Sequence, residues 1–153
     1  MGHGAVVGHD GVVEHDLGRF VAAQDSGGSY AQALREVRAG RKRSHWMWWV
    51  FPQLAGLGRS ATSREYGLAG LGEARAYLAH PVLGPRLREC VAALLALDEP
   101  DPVAVMGGID AVKLRSSMTL FALAADGEDA APYRAVLDRY FGGERDPHTL
   151  ARL

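Results

Sequence analysis

Residues 109–125 read IDAVKLRSSMTLFALAA, and the fold turns on this stretch. From 116 to 125 it carries ten residues without a charge. That is about half of what a bilayer span requires, so the spacing predicts a helix buried at the centre of a globular domain. Leu114, Met118, Phe121 and Ala125 recur at helical spacing as its core stripe. Asp110, Lys113 and Ser117 fall at i, i+3 and i+7 as a polar stripe, flanked by Arg115 and Ser116. Charges and hydroxyls entering an apolar helix must find partners or face a polar cavity. In one account Asp110 is an N-cap with Lys113 as its i, i+3 partner; in the other the stripe is part of an anion or ribose-phosphate site.

Helical punctuation continues on both sides of this segment. Upstream, Asp101 and Pro102 open a single turn, and Pro85 opens a helix whose stripe is Leu87, Cys90, Val91, Leu94 and Leu95. Before it come short helices over 17–24, 62–69 and 72–79, and one capped by Ser29 and stopped by Gly40. Downstream, Pro132 opens a helix ended by Gly142 and Gly143, and Asp146 with Pro147 caps a last one. No segment alternates with period two, and only residues 47–51 remain as a candidate for extended structure. The expectation is an all-α, compact multihelical single domain of about eight short helices around the central apolar helix. Residues 17–153 form that single helical domain, and residues 1–16 read as a flexible N-terminal tail. His3, His9 and His15 recur in the tail every six residues, a spacing that aligns ligands on neither helix nor strand, so no metal site is expected there.

Composition bounds the function. The chain has 153 residues, 17 basic and 18 acidic side chains, a net charge of −1 and one cysteine. A single cysteine excludes an internal disulfide and leaves a reducing cytoplasm as the expected compartment. Near-neutrality argues against a nucleic-acid-coating or membrane-surface protein. HExxH, GxSxG and paired-cysteine signatures are absent, which removes the zinc-hydrolase and serine-hydrolase classes, and no cofactor signature is present. Gly56, Gly58 and Ser60 lack the lysine of a phosphate loop, His80 before Pro81 reads as a cap, and Cys90 reads as a small core residue.

The neutrality is an average. Residues 40–53, GRKRSHWMWWVFPQ, place Arg41, Lys42 and Arg43 beside Ser44, His45, Trp46, Trp48, Trp49 and Gln53, with Arg35 and Arg38 just upstream. Guanidinium groups next to aromatic faces suit a flat ring joined to a phosphate. Alternatively, the tryptophans belong to the core and the cations to a solvated helix end. Neighbouring tryptophans point to different faces of any regular element, so some are core and at least one can line a cavity.

Three blocks, GRKRSHWMWWVFPQLAGLGRS, EARAYLAHPVLGPRLREC and KLRSSMTLF, with the later YFGGE and DPHTL, resemble a widespread bacterial family. It is domain-of-unknown-function family eighteen-ten, sometimes mislabelled calpastatin. The resemblance runs from about Leu17 to the C-terminus and implies a mainly α-helical single domain without assigning an activity. Calpain inhibitors are disordered repeat proteins, whereas this chain has a core and no repeat. Family members often carry an acidic residue beside the position of Asp110; here it is Ala111, which weakens a paired-carboxylate mechanism.

The expected function is binding of a small phosphorylated ligand, a nucleotide or an ADP-ribose-like molecule, in a cleft where the two clusters meet. Arg41, Arg43, Lys113 and Arg115 would hold the anion, Ser116 and Ser117 would donate to phosphate or ribose, and one tryptophan would stack. His45 is the expected proton carrier if a hydrolase or transferase reaction follows. The alternative is a protein-interaction module using the Trp/Arg cluster.

Overall fold

The computed structural model describes residues 6–7 and 13–153. After an antiparallel pairing of β1 (Val6–Val7) with β2 (Val13–Glu14), every element is helical. The order is α1 (Gly18–Asp25), α2 (Ser29–Arg38), α3 (Met47–Val50), α4 (Ala61–Tyr66) and α5 (Leu71–Ala79). Then follow α6 (Leu83–Leu95), α7 (Pro102–Met106), α8 (Gly108–Ala124), α9 (Ala131–Phe141) and α10 (Pro147–Arg152). No helix of the described residues is long and apolar enough to cross a membrane. The expected all-α fold is thus observed, with α7 at the turn expected after Asp101 and the single turn α3 in addition.

The segment that decides the fold is α8, which packs against α9, α5, α7 and α10. Leu114, Met118, Leu120 and Phe121 are fully buried, and so are Ser117 and Thr119. The polar stripe therefore enters the interior at Ser117, while Asp110 and Lys113 stay partly exposed. Ser116 donates to Asp146 Oδ2 at 2.9 Å, and Thr119 Oγ1 accepts from Asp146 N at 2.9 Å. Asp146 also caps α10 by accepting from Thr149 N at 3.0 Å. Burial would raise this carboxyl, but the Thr149 and Ser116 hydroxyls hold it below its ordinary range.

Two local expectations are corrected. Residues 47–51 are not extended but form the single turn α3, with Val50 N donating to Trp46 O at 3.1 Å. Helical spacing lets Met47 and Val50 share one buried face, and Pro52 prevents continuation. Ser29 does not cap α2; Gly28 takes the N-cap position with φ +69°, and the Ser29 hydroxyl accepts instead from Trp49 Nε1 at 2.8 Å.

His80 is a cap, as expected: its Nδ1 accepts from Val82 N and Leu83 N at 3.1 and 3.2 Å, turning the chain from α5 into α6. The turn brings Gly84 against α5 so closely that an added Cβ would overlap the Leu78 carbonyl. Because that neighbour is backbone, it cannot rotate away. Gly84→Ala is expected to cost about 2 kcal/mol, read as a lower urea midpoint with an unchanged slope. A midpoint equal to the parent's would mean that the helices separate without cost.

Ordered contacts begin before Leu17. Arg19 on α1 donates to the Asp16 carbonyl, and His15 Nδ1 lies 3.7 Å from Glu73 Oε2. His3 and His9 lie outside the described residues.

Candidate functional site

The basic segment after α2 is held by a residue that sequence reasoning passed over. Glu36 is 8% exposed, and its Oε1 accepts from Arg43 N, Ser44 N and Trp46 Nε1 at 2.8, 2.9 and 2.9 Å. Its Oε2 accepts from the Ser44 hydroxyl at 2.7 Å. Burial alone would push this carboxyl up; the donors from Ser44, Arg43 and Trp46 outweigh it and lower it to about 2. The available signal was one carboxylate close to Leu34 and Val37 on α2, a few residues ahead of three cations.

Glu36 turns the loop toward the end of α7 and the first turn of α8. Lys42 N donates to Val105 O at 2.7 Å, and Lys42 Nζ lies 2.8 Å from Asp110 Oδ2. The same ammonium donates to Ser44 O and sits 4.9 Å from the centre of the buried Trp46 ring. Lys42 is therefore fully engaged as an anchor. Lys113 is more available: its Nζ is 3.8 Å from Asp110 Oδ1 and 4.6 Å from the centre of the Trp48 ring. The two clusters thus meet through Lys42, Asp110, Lys113, Trp46 and Trp48.

Ser117 lies one turn beyond Lys113 on the same face of α8. A further turn along that face, Phe121 packs 5.4 Å from Tyr77, whose hydroxyl donates to Trp49 O. Ser117 is therefore set between the Lys113–Trp48 contact and the Phe121–Tyr77 contact. Its hydroxyl and Trp48 Nε1 are buried polar groups without a hydrogen-bond partner. An unmade hydrogen bond on a buried donor costs about 1–3 kcal/mol. Two such donors, one on the ring that Lys113 contacts and one a helical turn beyond it, mark a place where an acceptor is wanted.

The other sequence-selected residues are placed elsewhere or on the rim. Arg41, Arg43 and His45 are exposed on the loop. Ser44 belongs to the Glu36 network and also accepts from Gln32 Nε2 at 2.8 Å. Trp49 faces Ser29 and Tyr66, with its ring 5.3 Å from Tyr66. Gln53 accepts from Leu68 N at 3.0 Å through its main-chain carbonyl. Arg115 leaves this face entirely, donating to Glu144 O and Arg145 O at 3.0 and 2.7 Å. Ser116 is spent on Asp146. Ser60 is the N-cap of α4, and Cys90 is buried with its thiol pushed up to about 12 by desolvation, unsuited to nucleophilic attack.

Fold and site together define a small helical domain with a cationic and aromatic cluster at the start of its central helix. The family model described as protein of unknown function (DUF1810) matches residues 14–153, and the chain belongs to that family. A crystal structure of a conserved hypothetical protein from Mycobacterium tuberculosis is similar at 47% identity and a TM-score of 0.86. The match covers 90% of this chain and 96% of that one. No curated protein matches.

Proposed function

We propose that the chain binds a small phosphorylated ligand carrying a flat ring, of nucleotide or ADP-ribose-like type, at the Trp48–Lys113–Ser117 face. The observation that carries this is the pair of unpartnered buried donors, Trp48 Nε1, whose ring Lys113 covers, and the Ser117 hydroxyl, one helical turn beyond Lys113. A phosphate supplies several acceptor oxygens and a charge, so it would satisfy both donors and the ammonium together. Exposed Arg41 and Arg43 add charge at the rim and planar surfaces for a ring. Arg115 and Ser116, held on the α10 side, have no part in this binding. In an enzymatic extension, hydrolysis or group transfer, His45 is the proton carrier on the rim.

The test is a thermal-shift series of the full chain against inorganic phosphate, AMP, ADP-ribose and sugar phosphates. A site ligand at about a hundred times its dissociation constant adds roughly 2.7 kcal/mol. Lys113→Ala should abolish the shift, whereas Arg115→Ala should leave it. Ser117→Ala supplies a sign test: without ligand it should match or exceed the parent in stability by about 1 kcal/mol, because it removes an unsatisfied hydroxyl, while weakening binding. No shift with any phosphorylated compound overturns the reading.

A protein-interaction reading draws on a different observation. Val103, Ile109 and Val112 are 54, 77 and 62% exposed near the basic loop, while the tryptophans are buried or half-buried. Ile109→Asp should leave ligand shifts intact and abolish binding to any such partner.

A further inference from the structure

Eleven residues beyond Lys113, about 16 Å along α8, the helix ends at a cavity of about 510 Å³. Its volume falls within the roughly 300–1,000 Å³ of small-molecule pockets. Leu78, Ala124, Pro132 and the buried Tyr133 ring make an apolar floor. The charges around it are segregated. The basic ones, Arg75 and Arg88, come from α5 and α6, and the acidic ones, Asp126, Glu128 and Asp129, from around the turn before α9.

Among the described residues no ion pair within 4 Å joins the two sets. Arg75 Nε donates to Ala124 O at 3.3 Å, and Arg75 lines the cavity. Burial raises the Tyr133 hydroxyl above its ordinary range, and the charge of nearby Arg88 offsets part of that. Opposite charges held apart across an apolar floor match a molecule that carries both charges at its ends and an apolar body between them.

The geometry points to a second ligand site here, for a zwitterionic amphiphile of about dipeptide size. The anionic end would lie against Arg75 and Arg88, the ammonium end against Asp126, Glu128 and Asp129, and the body on Tyr133 and Leu78. Closed charge-assisted hydrogen bonds are the strong ones, so both ends contribute to binding. This site shares no residue with the Trp48–Lys113 face, and either can fail without the other.

The experiment is an amide-resolved NMR titration of the full chain with leucyl-leucine, its N-acetyl form and its C-terminal amide. The zwitterion should give saturable shifts at the amides of 124–133, and blocking either end should weaken binding roughly tenfold. Arg88→Gln should weaken the zwitterion and the N-acetyl form while sparing the amide; Asp129→Asn should weaken the zwitterion and the amide while sparing the N-acetyl form. Both positions are exposed, so unchanged melting of the two variants certifies the fold. The proposal is overturned by no saturable shift at millimolar zwitterion, by equal binding of all three compounds, or by shifts that cluster at Lys113 and Trp48.

Discussion

Replacing Glu73 by alanine is expected to lower unfolding stability by about 3–5 kcal/mol, among the largest single effects in this chain. Glu73 is 2% exposed on α5, and its carboxylate faces Arg19 on α1 through contacts of 3.1 and 3.4 Å. It also accepts from Ala69 N at 2.8 Å. Arg19 is equally occupied. Besides Glu73, its guanidinium donates to the carbonyls of Asp16, Glu65 and Gly67, the last two at 2.8 and 3.1 Å. The pair therefore ties the chain start, the α4–α5 connection and α1 together. Removing the carboxylate leaves a buried guanidinium with its neutral acceptors but no counter-charge. Arg19→Lys is expected to be costly too, since one ammonium cannot reproduce a planar fork. The decisive comparison is the double variant Arg19→Met, Glu73→Met. It should be far less destabilised than the sum of the single changes, because no unpaired charge stays buried. Additive losses would show that the two groups act independently. Urea unfolding measures all four corners of the cycle.

That ion pair was not legible in the sequence, and the reason is general. Residues 19 and 73 belong to different helices, and nothing local marks either as buried. What the sequence does carry is periodicity and punctuation. Pro102, Pro132 and Pro147 stand in the first turns of α7, α9 and α10, Asp101 and Asp146 cap two of these, and Gly142 ends α9 with φ +61°. Such signals act within a few residues, so they can be read from one chain. The region of residues 47–51 misled because an aromatic run suits strand and buried helix alike. The choice was made by burial of Met47 and Val50 and by the stop at Pro52.

The candidate site was half legible for the same reason. Helical phase placed Asp110, Lys113 and Ser117 on one face of α8, and their meeting with the Lys42–Trp48 segment follows from that face. Phase set Arg115 and Ser116 on the flanks of that stripe, and residue type joined them to the ligand; the Glu144, Arg145 and Asp146 contacts occupy them instead. Glu36 was missed because a carboxylate in a helix ordinarily reads as solvated. Only the loop folding back over α2 makes it an acceptor for four donors.

Glu36 then provides the second large expected effect, and it carries a pH signature. Its carboxyl lies at about 2 in the folded chain against an ordinary value of 4.5. A depressed folded value means that the stabilisation is fully present above the unfolded value, near pH 4.5. It is lost as pH falls toward 2. The difference corresponds to about 3 kcal/mol at neutral pH. Glu36→Gln should forfeit most of this and flatten that part of the stability profile between pH 4.5 and 2. An unchanged acid limb in that variant would assign the pH dependence to other carboxylates. Glu36→Ala should cost more than the amide, since the Trp46 indole N–H and two backbone N–H groups would be left without an acceptor. Its consequence should also be local. Freed from Glu36, the loop loses the constraint that holds Lys42 against Asp110, and trypsin should cut after Arg41, Lys42 or Arg43 faster in native buffer than in the parent. Because Glu36 reaches the proposed ligand only through the loop, it acts as a positioning residue. Glu36→Gln should accordingly reduce the AMP- or ADP-ribose-induced shift in part, whereas Lys113→Ala abolishes it. Equal losses from both changes would mean that the loop, and not Lys113, supplies the binding charge.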